Sequence, residues 1–78
     1  MPWSEDDLNY IYDKTGGYCY YCGKKIDWSN YGAHGEKGAW TVDHMLPVSR
    51  GGTDHMNNLV PACIPCNSSK GDLRPREF

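Results

Sequence analysis

Asp43 and His44 stand side by side near the end of the stretch Trp40-Thr41-Val42-Asp43-His44-Met45-Leu46-Pro47, with the pair Gly51-Gly52 just behind. A carboxylate next to an imidazole can be a metal ligand next to a general base. Trp40 and Val42 alternate with Thr41 and Asp43, the period of a half-buried strand, so the pair should fall where that strand ends and the chain turns. Neighbours on a strand point to opposite faces, and a break in regularity is needed to bring both to one site. Pro47 and the glycine pair supply such a break. A surface Asp-His pair is the plainer reading of the dipeptide alone.

The second set of chemically capable residues is Cys19-Tyr20-Tyr21-Cys22 and Cys63-Ile64-Pro65-Cys66. Two C-x-x-C knuckles forty residues apart are the pattern of a tetrahedral four-cysteine zinc site. Two disulfides, or an iron site like that of rubredoxin, are the alternatives. Cys22-Gly23 suits iron, but Asn67 follows Cys66 where a second glycine would be expected. A chain of 78 residues with 38% hydrophobic residues, nine Gly and five Pro needs such a staple, because a core of this size contributes only about 3 to 5 kcal/mol. The start Met1-Pro2-Trp3-Ser4-Glu5-Asp6 has neither the basic start nor the apolar run of a signal peptide. Reduced thiols in a cytoplasmic chain are therefore expected, which favours metal over disulfides.

The formal charge is −2, and four zinc-bound thiolates would make it more negative. That argues against an autonomous nucleic-acid binder resting on a basic footprint. The charge is uneven, however. Glu5, Asp6, Asp7 and Asp13 precede every basic residue, so residues 14 to 78 carry eight basic groups against six acidic ones. A polyanion must approach this later part. No apolar run nears the roughly 20 residues that cross a membrane, and no repeats are present.

These residues need elements to position them. Ser4 and Asp7 read as a capping box, with Trp3 and Leu8 as a hydrophobic staple, so a short helix should start there. Leu8, Ile11 and Tyr12 give its apolar stripe and Gly16-Gly17 its end. Glu5, Asp6 and Asp7 suit the helix dipole and are read as structural. Residues 18 to 26 form the first knuckle, and 27 to 38 a polar, glycine-rich loop in which His34 is read as a surface residue rather than a spare ligand. Residues 49 to 57 are turn-forming throughout. Asn58 then suits the task of tying loop amides together, since its side chain both donates and accepts. Asn58 to Ala62 bring the chain back as a short strand or extended segment. The second knuckle runs into a short helix that Pro65 starts and Gly71 ends. Asn67, fixed by the knuckle, can offer an amide oxygen to a hard cation shared with Asp43. Lys70, one turn later on the same face, could reach a phosphate as a point charge. Residues 72 to 78 are expected to be a mobile tail on a single domain spanning 1 to 78, with its core at 19 to 71.

The order C-x-x-C, Asp43-His44-x-x-Pro47, Ser49-Arg50-Gly51-Gly52, Asn58-Leu59, then Cys63-x-x-Cys66-Asn67-x-x-Lys70-Gly71 resembles the zinc-containing branch of the HNH endonucleases. The resemblance spans residues 19 to 71, and the order and spacing together make it specific. It implies a small α+β fold, a beta-beta-alpha metal finger of two antiparallel strands and a helix, here with a short N-terminal helix and a four-cysteine zinc staple. His44 matches the first histidine of the motif and Asn58 its middle asparagine. Asn67 stands in place of the last histidine, so the chain is an H-N-N variant.

The resemblance implies a metal-dependent endonuclease acting on the backbone of double-stranded DNA. On that reading Asp43 and Asn67 hold one catalytic Mg or Mn ion, and His44 takes a proton from water, as an imidazole titrating near pH 6.5 can. Asn58 orients the loop, Lys70 and Arg50 meet substrate phosphates, and one structural zinc stays outside the chemistry. One ion site per chain implies nicking by a monomer or weak dimer, and without a recognisable base-reading element the sequence specificity should be low. The rival from another class is a non-catalytic, zinc-supported module binding nucleic acid or protein, which leaves the co-occurrence of Asp43, His44, Asn58 and Asn67 unexplained. Redox chemistry through the cysteines is a third reading.

Overall fold

The computed structural model describes residues 3 to 71 and residue 73; apart from Leu73, the expected tail at 72 to 78 falls outside them. The chain starts with helix α1 (Glu5–Asp13), whose capping box is complete: the Ser4 hydroxyl accepts from the Asp7 amide and the Asp7 carboxylate accepts from the Ser4 amide, each at 3.1 Å. Leu8 and Ile11 point inward. Strands β1 (Trp40–His44) and β2 (Leu59–Cys63) form a two-stranded antiparallel sheet, with Trp40 opposite Cys63 and His44 opposite Leu59. Helix α2 (Ile64–Lys70) follows without a linker, using Cys63 as its N-cap and Gly71 as its C-cap. This is a small α+β fold, two strands and a helix with one further helix at the N-terminus.

Leu8, Ile11, Ile26, Trp40, Leu59 and Ala62 make the apolar core, with Cys19 and Cys63 at its margin. Tyr12, Trp28 and Tyr31 stand around the Trp40 ring with centroids 5.0 to 6.0 Å away, in tilted or edge-on arrangements favoured by the ring quadrupole. All five residues of β2 are buried, so the strand is covered on both faces. Pro61 within it lacks an amide donor, which a strand paired on one side tolerates. Its free carbonyl accepts from the Tyr20 amide at 2.9 Å and docks the first knuckle onto the strand.

Between the strands the chain turns through two short 3-10 turns, Val48–Arg50 and Met56–Asn58. The glycine pair closes the first. Gly51 has φ +93°, and a Cβ on Gly52 would lie 1.7 Å from the Leu46 carbonyl oxygen, so position 52 admits no side chain. Lys14, just past α1, donates its ammonium to the carbonyls of Met56 and Leu59, ties the N-terminal helix to the end of this loop, and has its pKa lowered by burial.

Candidate active site

The strand ends at His44, where the sequence suggests, but both residues of the pair still lie within the paired ladder. His44 still pairs with Leu59, and the Met45 amide continues toward the Asn58 carbonyl at 2.9 Å, so Asp43 and His44 keep the alternation of a regular strand. They meet different neighbours. Asp43 is turned inward, 6% exposed, where its Oδ2 accepts from the Tyr21 hydroxyl at 2.5 Å and lies 3.3 Å from the Lys70 ammonium. His44, half-buried, places its ring 6.2 Å from that of Trp3, and its Nε2 lies 2.7 Å from the Asp54 carboxylate. A carboxylate only accepts, so Nε2 carries a proton, and in the neutral ring the lone pair is then on Nδ1.

Asn58 holds the intervening loop together. Its Oδ1 accepts from the Leu46 amide at 2.9 Å, and its Nδ2 donates to the carbonyls of Leu46 at 3.0 Å and Thr53 at 2.8 Å. Five backbone groups would otherwise compete for water at the root of the His44 turn; one side chain satisfies three of them and the Met45–Asn58 bond the other two.

Lys70 does not stand where a phosphate clamp would. It is 1% exposed, and besides Asp43 its ammonium donates to the His44 carbonyl at 3.0 Å and lies 5.8 Å from the centre of the Tyr21 ring. A buried ammonium survives only with partners of this kind. Helix α2 is short, and its last turn aims Lys70 back along the sheet at Asp43 rather than outward. Asn67, half-buried and one turn earlier, shares that face by helical spacing. Arg50 is exposed at the end of the first loop turn and His34 is exposed in the 27 to 38 loop.

Oδ1 of Asp43 accepts from no group among the described residues, although Oδ2 has two partners. A buried carboxylate with one oxygen left over among the described residues, and an amide side chain on the helix packed against the same strand, offer the oxygen donors that a hard cation takes. Burial first, and then the Asp43 carboxylate, push the Tyr21 phenol well above its ordinary value, so it stays protonated as a donor.

The four cysteines form a second cluster, their sulfurs all within 4.8 Å of one another. The Cys22 and Cys63 sulfurs are 3.7 Å apart, far beyond a disulfide bond and close to the edge of about 3.8 Å that a thiolate tetrahedron around zinc would have. This cluster can hold a metal ion. Burial raises Cys19, but hydrogen bonds from the Cys22, Cys63 and Tyr21 backbone and the Cys22 side chain outweigh it and bring this thiol down to about 7. Cys63 and Cys66 are raised, chiefly by burial.

Three contacts escaped the sequence reading: Tyr21 on Asp43, and Asp54 and Trp3 on His44. Tyr21 sits between two cysteines and reads as knuckle filler, and Asp54 reads as a turn residue. The staple position of Trp3 was legible, but not that the same ring reaches His44.

A cleft of about 540 Å3 lined by Tyr12, Ile26, Trp28 and Asn30, among others, includes none of these residues. The Asp43-His44 pair lies at the end of the sheet, with Asp43 buried and His44 half-buried.

Two antiparallel strands joined by an asparagine-tied loop, a helix returning over the strand that ends in Asp-His, and a thiol cluster at its root define a beta-beta-alpha finger. The profile of the HNH endonucleases matches residues 19–73, and the chain belongs to that family. Over 55 residues it is 38% identical to the CRISPR-associated endonuclease Cas9 of Corynebacterium diphtheriae, a match covering 69% of this chain and 4% of that protein. The chain thus corresponds to a small part of that relative's length. Among the described residues, no helix is long and apolar enough to cross a membrane.

Proposed function

We propose that the protein is a Mg- or Mn-dependent DNA endonuclease that hydrolyses phosphodiester bonds, nicks one strand per event and has low sequence specificity. The observation that carries this reading is the buried Asp43 carboxylate, whose Oδ1 accepts from no group among the described residues, next in sequence to an imidazole held by Asp54. Asp43 and Asn67 would hold the divalent ion. That ion, when bound, supplies a Lewis acid for the charge that builds on the phosphoryl and leaving oxygens. The four thiolates would hold zinc, which contributes to folding and takes no part in the reaction.

Asp43 and His44 turn to opposite faces of β1, so the phosphodiester would lie across the C-terminal end of the strand, where both faces are approached. His44 Nδ1 takes a proton from the attacking water, the new P–O bond forms opposite O3′, and the P–O3′ bond breaks, with O3′ taking a proton from solvent, to leave a 5′-phosphate and a 3′-hydroxyl. Asp54 keeps the His44 proton on Nε2, and Asn58 keeps the turn beneath His44 from opening. Arg50, on the exposed loop, meets a backbone phosphate. Lys70 acts from below, neutralising Asp43 and holding the His44 carbonyl. With one such site per chain, a monomer or weak dimer cuts a single strand, and the four free thiols suit a cytoplasmic protein.

The net charge of −2 favours one alternative, a zinc-supported module that binds without cutting. A supercoiled plasmid incubated with purified protein in EDTA, Mg, Mn or Zn separates the two. Nicked circles are expected only with Mg or Mn, and His44→Ala should lower their rate by about 2 to 4 orders of magnitude while retaining the fold. No cleavage by folded, zinc-loaded protein in any metal would select the binding module.

A further inference from the structure

Tyr21 belongs to the first thiol knuckle by sequence, between Cys19 and Cys22, yet its hydroxyl ends on the Asp43 carboxylate. The knuckle is held in place by the Tyr20 amide on the Pro61 carbonyl at 2.9 Å, and by the Cys19 amide on the Lys24 carbonyl at 2.8 Å and the Gly23 amide on the Cys19 carbonyl at 3.0 Å. Pro61 pairs with Val42, one residue before Asp43. The knuckle therefore docks at the level of the site and delivers a ring there at a fixed height. Tyr20, next to it, is 48% exposed and turns its ring edge-on to Tyr21 at 5.2 Å.

A carboxylate on a strand rotates about its side-chain bonds, and both its oxygens are chemically equivalent. At Asp43 they are made inequivalent. The phenol and the Lys70 ammonium both address Oδ2, one from the first knuckle and one from the helix that the second knuckle starts. A hydrogen bond from the phenol and an ion pair with Lys70 on the same oxygen orient the group and leave Oδ1 as the oxygen without a partner among the described residues.

We infer that Tyr21 is a positioning residue for the catalytic ion, holding Asp43 with its Oδ1 outward, so that the four-cysteine cluster sets the affinity of the ion site through a side chain carried between two of its ligands. This rests on the reading of Asp43 as a ligand of the catalytic ion. It also gives the aromatic residue at position 21 a reason beyond filling: phenylalanine would fill the same space but could not hold Oδ2.

Tyr21→Phe tests it, with Tyr20→Phe as control in the same knuckle. Each zinc-loaded protein is titrated with Mn, and bound ion is counted from the loss of the free-Mn electron paramagnetic resonance signal; plasmid nicking is followed over the same range. Losing one hydrogen bond to a charged group should weaken Mn binding by about 10-fold or more in Tyr21→Phe. The nicking rate at saturating Mn should fall much less, and zinc content and melting temperature should stay close to wild type. Tyr20→Phe should behave as wild type throughout. A merely structural tyrosine would lower the melting temperature or zinc content and leave the Mn midpoint unmoved, which overturns the inference. Unchanged Mn binding in a nicking-competent Tyr21→Phe overturns it as well and leaves the nuclease reading intact. Wild type that binds Mn tightly, loses that binding in Tyr21→Phe, and never nicks would uphold the inference and overturn the nuclease reading. Wild type that binds no Mn would overturn both.

Discussion

The His44 imidazole is held by a surface carboxylate on one side and an aromatic ring on the other, and the two contacts differ in what they contribute. Trp3 limits where the ring can lie. Asp54 limits which nitrogen carries the proton, and that decides whether Nδ1 can act as a base at all. Because Asp54 is 74% exposed, water screens its charge, and its effect is geometric more than energetic. Asp54→Ala should therefore slow nicking by about 3- to 10-fold, with a shift toward the other tautomer in the nitrogen-15 spectrum of His44. Asp54→Asn retains an acceptor oxygen and should recover most of the rate. Equal loss in both variants would show that charge, not orientation, is what Asp54 contributes.

At the scale of elements, helix α2 is short and owes little to its own propensity. Its start is fixed by Cys63 and Cys66 and its end by Lys70, whose ammonium binds Asp43 and the His44 carbonyl inside the molecule. The helix is thus tied at both ends to the strand pair it covers. Lys70→Ala would leave Asp43 buried without its cation, and such a broken pair costs about 3 to 5 kcal/mol. The expected result is a large drop in melting temperature. A lysine acting only on substrate phosphate would instead leave the melting temperature unchanged and flatten the salt dependence of DNA binding, so one thermal scan distinguishes the two roles.

The whole molecule has a core of few apolar residues, and its two thiol knuckles lie at opposite ends of the sequence. The first is docked on β2, and the second continues β2 into α2. A metal joining them closes most of the chain into one loop, and its binding energy, on the order of 10 kcal/mol for such sites, is folding energy. Cys63→Ser, or a strong zinc chelator, should unfold the domain as judged by circular dichroism. A folded, metal-free Cys63→Ser protein would show that the cysteines are not the staple. The charge belongs to this scale too. An acidic α1 and a net charge of −2 leave little long-range attraction for DNA, so binding should be weak and salt-sensitive.

Much of this protein was determined by local sequence. The capping box of α1 needs only Ser4 and Asp7, the start and end of α2 need only Cys63, Pro65 and Gly71, and the thiol cluster follows from two C-x-x-C spacings, because each is a matter of residues within a few positions of one another. Order and spacing also sufficed for the family. What sequence could not give is which face each site residue turns to and what meets it there. Lys70 reads as a surface cation one turn from Asn67, and only the packing of α2 on β1 makes it the buried partner of Asp43. Tyr21, Asp54 and Trp3 reach the Asp-His pair from 22, 10 and 41 positions away. Such contacts depend on how elements dock and where loops close, and no local spacing encodes that.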